Sequence, residues 1–172
     1  MSAFQSDDYY NVIAEHVLET LQADSKLADA GALDVKTWEQ ELREDAGDFN
    51  SNELPAVSVT CDLSSVEDTG TQQFRRHFAV TVWIVTDGAR MQNAAQTVKS
   101  FAARVERSMN QQEAETKQLS DVTADLLESI SGSVQVTPVG TVIGGGPVEG
   151  NNLRGVAVLS FAVAVDFTVV ID

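Results

Sequence analysis

An α+β fold is predicted, with an antiparallel/mixed β-sheet, two to three helices packed on one face, and a long C-terminal strand. Three observations predict it. Two segments, Tyr10–Leu21 and Met91–Met109, repeat apolar residues at the 3.6-residue helical period. Two others, Phe74–Thr86 and Leu153–Ile171, alternate apolar and polar positions over more than ten residues, the signature of strands. The order of elements is helix, irregular, strand, strand, helix, helix, strand, strand, which suits hairpins joined by inserted helices.

The first helix is expected from about Asp7 to Ala23. Tyr10, Ile13, Ala14, Val17, Leu18 and Leu21 form its apolar stripe, and Asn11, Glu15 and Glu19 form the wet face. Ser6 is placed as an N-cap, and Asp7 and Asp8 stand where the helix dipole favours negative charge. Residues 24–55 read as a long, irregular contact segment anchored by Trp38, Leu42 and Phe49. Within it, Leu33-Asp34-Val35-Lys36 could form a short strand, and Glu39–Arg43 a helical turn. So long a connection is unusual unless it is used for contacts. Pro55 opens a strand, Ala56–Cys61, and Leu63–Thr71 reads as a loop. In the strand Phe74–Thr86, the side chains of Phe74, Arg76, Phe78, Val80, Val82 and Ile84 share one face. Those of Arg75, His77, Ala79, Thr81, Trp83 and Val85 share the other. Asp87-Gly88 ends it.

A second helix follows from about Arg90 to Asn110, with Phe101 flanking its stripe, and a third from Ser120 to Ile130, closed by Ser131-Gly132. Ser133–Val139 alternates as a strand, and 140–152 reads as a flexible hairpin tip because of Gly144-Gly145-Gly146-Pro147 and Gly150-Asn151-Asn152. The final alternating run is longer than a small domain needs. It must either bend or extend to pair with something outside the domain.

The chain has 172 residues, which predicts one domain over 1–172. Its 11 Lys+Arg against 26 Asp+Glu leave a net charge of −15. That balance argues against a protein that grips nucleic-acid phosphates and against electrostatic binding to a membrane surface. The acidity fits a solubility device, adaptation to high salt, or the wall of a conduit that a polyanion slides through. Cys61 is the sole cysteine, so no internal disulfide and no multi-cysteine metal motif is possible. No apolar run reaches the length of a membrane span, and the first residues lack the apolar core of a signal peptide, so a cytosolic address is expected.

No catalytic, cofactor-binding or metal-ligating constellation stands out. His16 and His77 read as surface or partly packed histidines. Cys61 with His77 is the single Cys/His pair, and Cys61 reads as a small core residue. The Gly144–Gly146 run lacks the Lys-Ser/Thr and the following helix of a phosphate-binding loop. Asp7-Asp8 reads as helix capping. Arg75-Arg76 is the one basic doublet, and alternation sends the two side chains to opposite faces. Either they mark an exposed strand end, or Arg76 meets an acidic neighbouring chain. Candidate assembly-interface residues are Arg75, Arg76, Gly144, Gly145, Gly146, Asp45 and Asp48.

The order and wording of several segments resemble the tail-terminator (tail-completion) proteins of long-tailed bacteriophages. The likeness is carried by the helix Asp8–Leu18, the irregular stretch after it, the strand Pro55-Ala56-Val57-Ser58-Val59, the strand Arg76–Thr86 running into helix Met91–Met109, and the closing strand Ala157–Val163. The helix at 120–130 and the length of the final strand depart from the pattern. The resemblance implies a homo-oligomeric ring, usually a hexamer, that caps the growing tail tube, stops its polymerisation and docks the head–tail connector or adaptor. DNA would pass through the lumen without specific binding, no cofactor would be needed, and the protein would reside at the tail end or neck of the virion after assembly in the host cytoplasm. A strand with an unpaired edge is a template for pairing with a neighbouring chain. Asp34–Asn52 and Gly140–Asn152 are expected to carry intermolecular contacts, and deletion of Gly144–Gly146 to spare the fold but impair assembly. Competing readings are another neck or tail component (head–tail adaptor or tube subunit) and a small cytosolic enzyme or binding domain.

Overall fold

The computed structural model describes residues 6–40, 43–70, 73–88, 91–110, 135–148 and 152–168. Helix α1 spans Ser6–Gln22, and the single-turn α2 spans Ser25–Ala28. Strand β1 is Thr37–Glu39; two 3₁₀ turns follow at Ala46–Asp48 and Ser51–Glu53. Then come β2 (Ala56–Gly70), β3 (Gln73–Gly88), α3 (Met91–Met109), β4 (Gln135–Val148) and β5 (Asn152–Thr168). The helix expected over Ser120–Ile130 lies outside the described residues.

The strands form one sheet in the order β1-β2-β3-β5-β4. β1 runs parallel to β2; every other pairing is antiparallel. The fold is therefore α+β with a mixed sheet, and its helices cover one face. Alternation decides which side chains meet them. Val57, Val59, Phe78, Val80, Val82, Ile84, Ala157, Leu159, Phe161, Val163 and Val165 all point to that face and are buried. Ile13, Val17 and Leu21 of α1 and Val98, Phe101, Ala102, Val105 and Met109 of α3 close over them. Tyr10 meets Phe78 edge-on, with ring centroids 6.0 Å apart. Phe101, expected at the flank of the α3 stripe, is in the centre of this core. Asn11, Glu15 and Glu19 are exposed as their period requires.

A second, smaller core lies on the opposite face, at the end of the sheet where β3 stops. Ala46, Phe49 and Leu54 cross to that side and cover Ala56, Trp83 and Val85. Phe49 packs on Trp83 at 5.8 Å between ring centroids. The segment read as irregular thus shields the apolar end of the second sheet face from water.

Four expectations change. Leu33–Lys36 is not a strand, because Asp34 takes a left-handed backbone (φ 51°) that breaks extension, and pairing starts at Thr37. The stretch Leu63–Thr71, read as a loop, continues β2 as far as Gly70, through bulges at Leu63/Ser65 and Asp68/Gly70. Gly140–Val148, read as a flexible tip, is the second half of β4, paired residue by residue with Asn152–Ser160. The final strand does not need an outside partner for its length, since β3 pairs with it from Leu153 to Thr168.

Candidate assembly surfaces

The sequence candidates fall in three places. Asp45 and Asp48 sit on the 3₁₀ turn and cap it reciprocally: Gly47 N–H donates to Asp45 Oδ1 (3.1 Å), and Asp45 N–H donates to Asp48 Oδ2 (3.0 Å). Both are exposed. Arg43 holds this segment together. Its guanidinium donates to both carboxylate oxygens of Glu53 (3.0 and 3.1 Å) and to Glu39 (2.6 Å), and it lies 3.9 Å from the centroid of the Phe49 ring. These hydrogen bonds, with one from the Asn50 N–H, hold the Glu53 carboxyl down at about 2. The same carboxylates raise the already high pKa of Arg43.

From the other side, Arg154 of β5 is 2% exposed. It donates to Asp87 (2.6 Å), to the Phe49 carbonyl and to Ser51 Oγ (both 3.4 Å), and so pins the 3₁₀ segment to the sheet. Arg154 has no local sequence signature, because its partners lie 67 to 105 residues away in the chain, whereas the hydrogen-bond partners of Arg43 lie within 10 residues of it. A comparable cluster ties α2 to α3. Asp24 caps the Lys26 N–H and accepts from Arg104 Nε (2.9 Å) and from the Ser108 hydroxyl. Burial alone would raise the Asp24 pKa, but these hydrogen bonds outweigh it and the pKa is lowered.

Arg75 and Arg76 do point to opposite faces. Arg75 stands in register between Glu67 and Asp166 on the face away from the helices. It binds Asp166 through Nε (2.7 Å) and Nη2 (3.1 Å), so its charge is met within the chain. That pair lowers the Asp166 pKa. Arg76 is on the helix side, with its guanidinium 5.3 Å from the Phe74 ring centroid. His77 Nε2 lies 3.3 Å from Glu67.

Cys61 and His77 fall on opposite faces of the sheet, by register with Val80 and Ser65. Burial, aided by the Asp62 charge, pushes the Cys61 thiol up to about 12, so it is a neutral thiol near pH 7. His16 is buried in α1. Among the described residues, no three His, Cys, Asp or Glu side chains gather as a metal site would require.

Gly144, Gly145 and Gly146 lie in β4, opposite Val156, Gly155 and Arg154. β4 is the outermost strand, and among the described residues no strand pairs with its outer margin. From Gln135 to Val148 it contains no charged residue, in a chain of net charge −15. Its Val139, Val142 and Ile143 are exposed. Natural edge strands are commonly blunted by charge. Here only Pro138, Pro147 and the bulge at Pro138/Gly140 interrupt the margin. Sequence reading places Gly144–Gly146 among the assembly candidates but as a flexible tip rather than a strand edge, although a charge-free run of that length in so acidic a chain is a signal of the edge.

No protein-family model matches the chain, and no curated protein matches it. Among solved structures, a chain from the virion of a native gene transfer agent (GTA) particle shares the fold with a TM-score of 0.55. The identity is 17%, and the match covers 95% of this chain and 99% of the other.

Proposed function

We propose that this chain is a structural virion protein that assembles as a ring, and specifically a tail terminator. In this reading the ring caps the tail tube, stops its polymerisation and joins the tail to the head connector, leaving a channel for DNA. The observation that carries the reading is the likeness in fold to a chain of a virion particle, which covers 95% of this chain and 99% of that one. The open, uncharged margin of β4 supports it, because an exposed strand edge is a ready site for intermolecular pairing. In this reading the role is structural rather than catalytic: Cys61 and His77 are divided by the sheet, and the thiol is neutral at physiological pH. The protein works at the tail end or neck of the particle and is assembled in the host cytoplasm.

Tail tubes grown in vitro with and without the purified protein test this assignment. A terminator added during growth should shorten the tubes and appear as extra density at one end. Tubes of unchanged length, with the protein bound on the connector side, would replace it with a head–tail adaptor. Incorporation along the tube would make it a tube subunit.

A further inference from the structure

The large apolar side chains left exposed among the described residues are Val66 (53%), Val139 (68%), Val142 (71%) and Ile143 (39%). All four lie on β2 or β4. These strands flank β3 and β5, and the short β1 covers only Ala56–Ser58 of β2. From Val59 to Gly70, no described strand pairs with the outer margin of β2. Among the described residues the sheet therefore has two open margins on opposite sides, and they concentrate its exposed hydrophobic side chains.

The margins complement each other in direction and charge. Successive antiparallel pairings from β2 through β3 and β5 to β4 leave β2 and β4 running in opposite directions. Two copies set side by side in the same orientation would thus place β4 of one antiparallel to β2 of the next. β4 carries no charge, whereas the open stretch of β2 carries Asp62, Glu67 and Asp68. Pairing β2 with β2 would set carboxylates against carboxylates. Pairing β4 with β2 sets them against a neutral strand. Pro138 and Pro147 have no N–H to donate, which confines the joint on β4 to Val139–Gly146.

We propose that a second copy of this chain is the occupant of the margin: Val139–Gly146 of one copy pairs antiparallel with part of Val59–Gly70 of the next. This proposal rests on the ring-forming reading and names its joint. The contact is heterologous, so it propagates head to tail and closes when the rotation permits. It also accounts for the glycine run, since strands without side chains let a neighbouring backbone approach closely.

Val142 is the most exposed of the four. By register with Val158 and Trp83 it lies on the same sheet face as Asp62 and Glu67. Val142→Glu and Val142→Lys therefore test the joint, with circular dichroism confirming that each folds and native mass spectrometry reading the assembly alone and on tubes. The joint predicts that V142E weakens assembly at least about tenfold, by placing like charges together, while V142K assembles as well as the parent. Equal loss in both variants would overturn the proposal in favour of β4–β4 pairing, in which either charge meets itself. Equal retention would show that β4 is not the joint, while the ring itself survives. Failure of the parent protein to assemble anywhere would instead remove the ring reading, an outcome visible without either variant.

Discussion

Glu53 and its neighbours concentrate the residue-scale argument. Its carboxylate receives two hydrogen bonds from Arg43 and one from the Asn50 N–H (2.7 Å), and its pKa is held at about 2. An unfolded glutamate titrates near 4.3. Because the folded value is depressed, the stabilisation is complete above about pH 4.3 and is lost as the pH falls through about 2. Trp83, its ring tilted against that of Phe49 in the small core, reports on this segment. In a Trp38→Phe background, its emission should hold steady down to about pH 4 and shift only below that. Glu53→Gln should shift it already at pH 7. A parent transition centred well above pH 4 would contradict the role given to Glu53. At this scale the sequence was only partly legible. Core positions followed from periodicity, and the division of Arg75 and Arg76 between faces followed from alternation. That Arg75 would be met by Asp166, or that Arg154 would be buried, depended on contacts 91 and 67 residues away in sequence. Local pattern carries no record of those.

Alternation is a signal of burial, and this decides which elements could be read. β3 and β5 bury one face along most of their length and were legible as long strands. The outer half of β2 and all of Pro138–Gly144 are exposed, so no apolar period marked them, and glycine and polar residues suggested loops instead. They are strands because their backbone groups pair with β3 and β5. Gly70, the last residue of β2, has a φ of +154° that other residues rarely adopt. The revised assignment reverses an expected outcome. Removing Gly144–Gly146 from a loop would spare the fold, but removing three residues from a strand shifts the register by an odd number and turns the residues on one side of the cut to the opposite face. Deletion should therefore lower the urea midpoint of unfolding. Gly144→Ser should not, since a Cβ there meets nothing within 4 Å. An unchanged midpoint after the deletion would show that β4 does not depend on this register.

For the molecule as a whole, the described residues form a mixed sheet shielded by helices on one face, and among them nothing pairs with two of its margins. The fold class was legible because the order of helical and alternating segments survives in the chain. The edge character of β4 was not, because an edge strand is defined by the strand it lacks. In the proposed ring, six copies would bring together a charge of about −90 before counterions, which favours a channel wall that DNA does not adhere to. Repulsion of that size also requires a joint without opposed carboxylates, and the charge-free β4 meets the requirement. The most direct measurement is the mass and symmetry of the purified protein on tail-tube ends, by native mass spectrometry and electron cryomicroscopy. The account predicts one closed ring of identical copies per tube end, with a continuous strand pairing between neighbours. A monomer at every concentration that leaves the tube ends bare would contradict it.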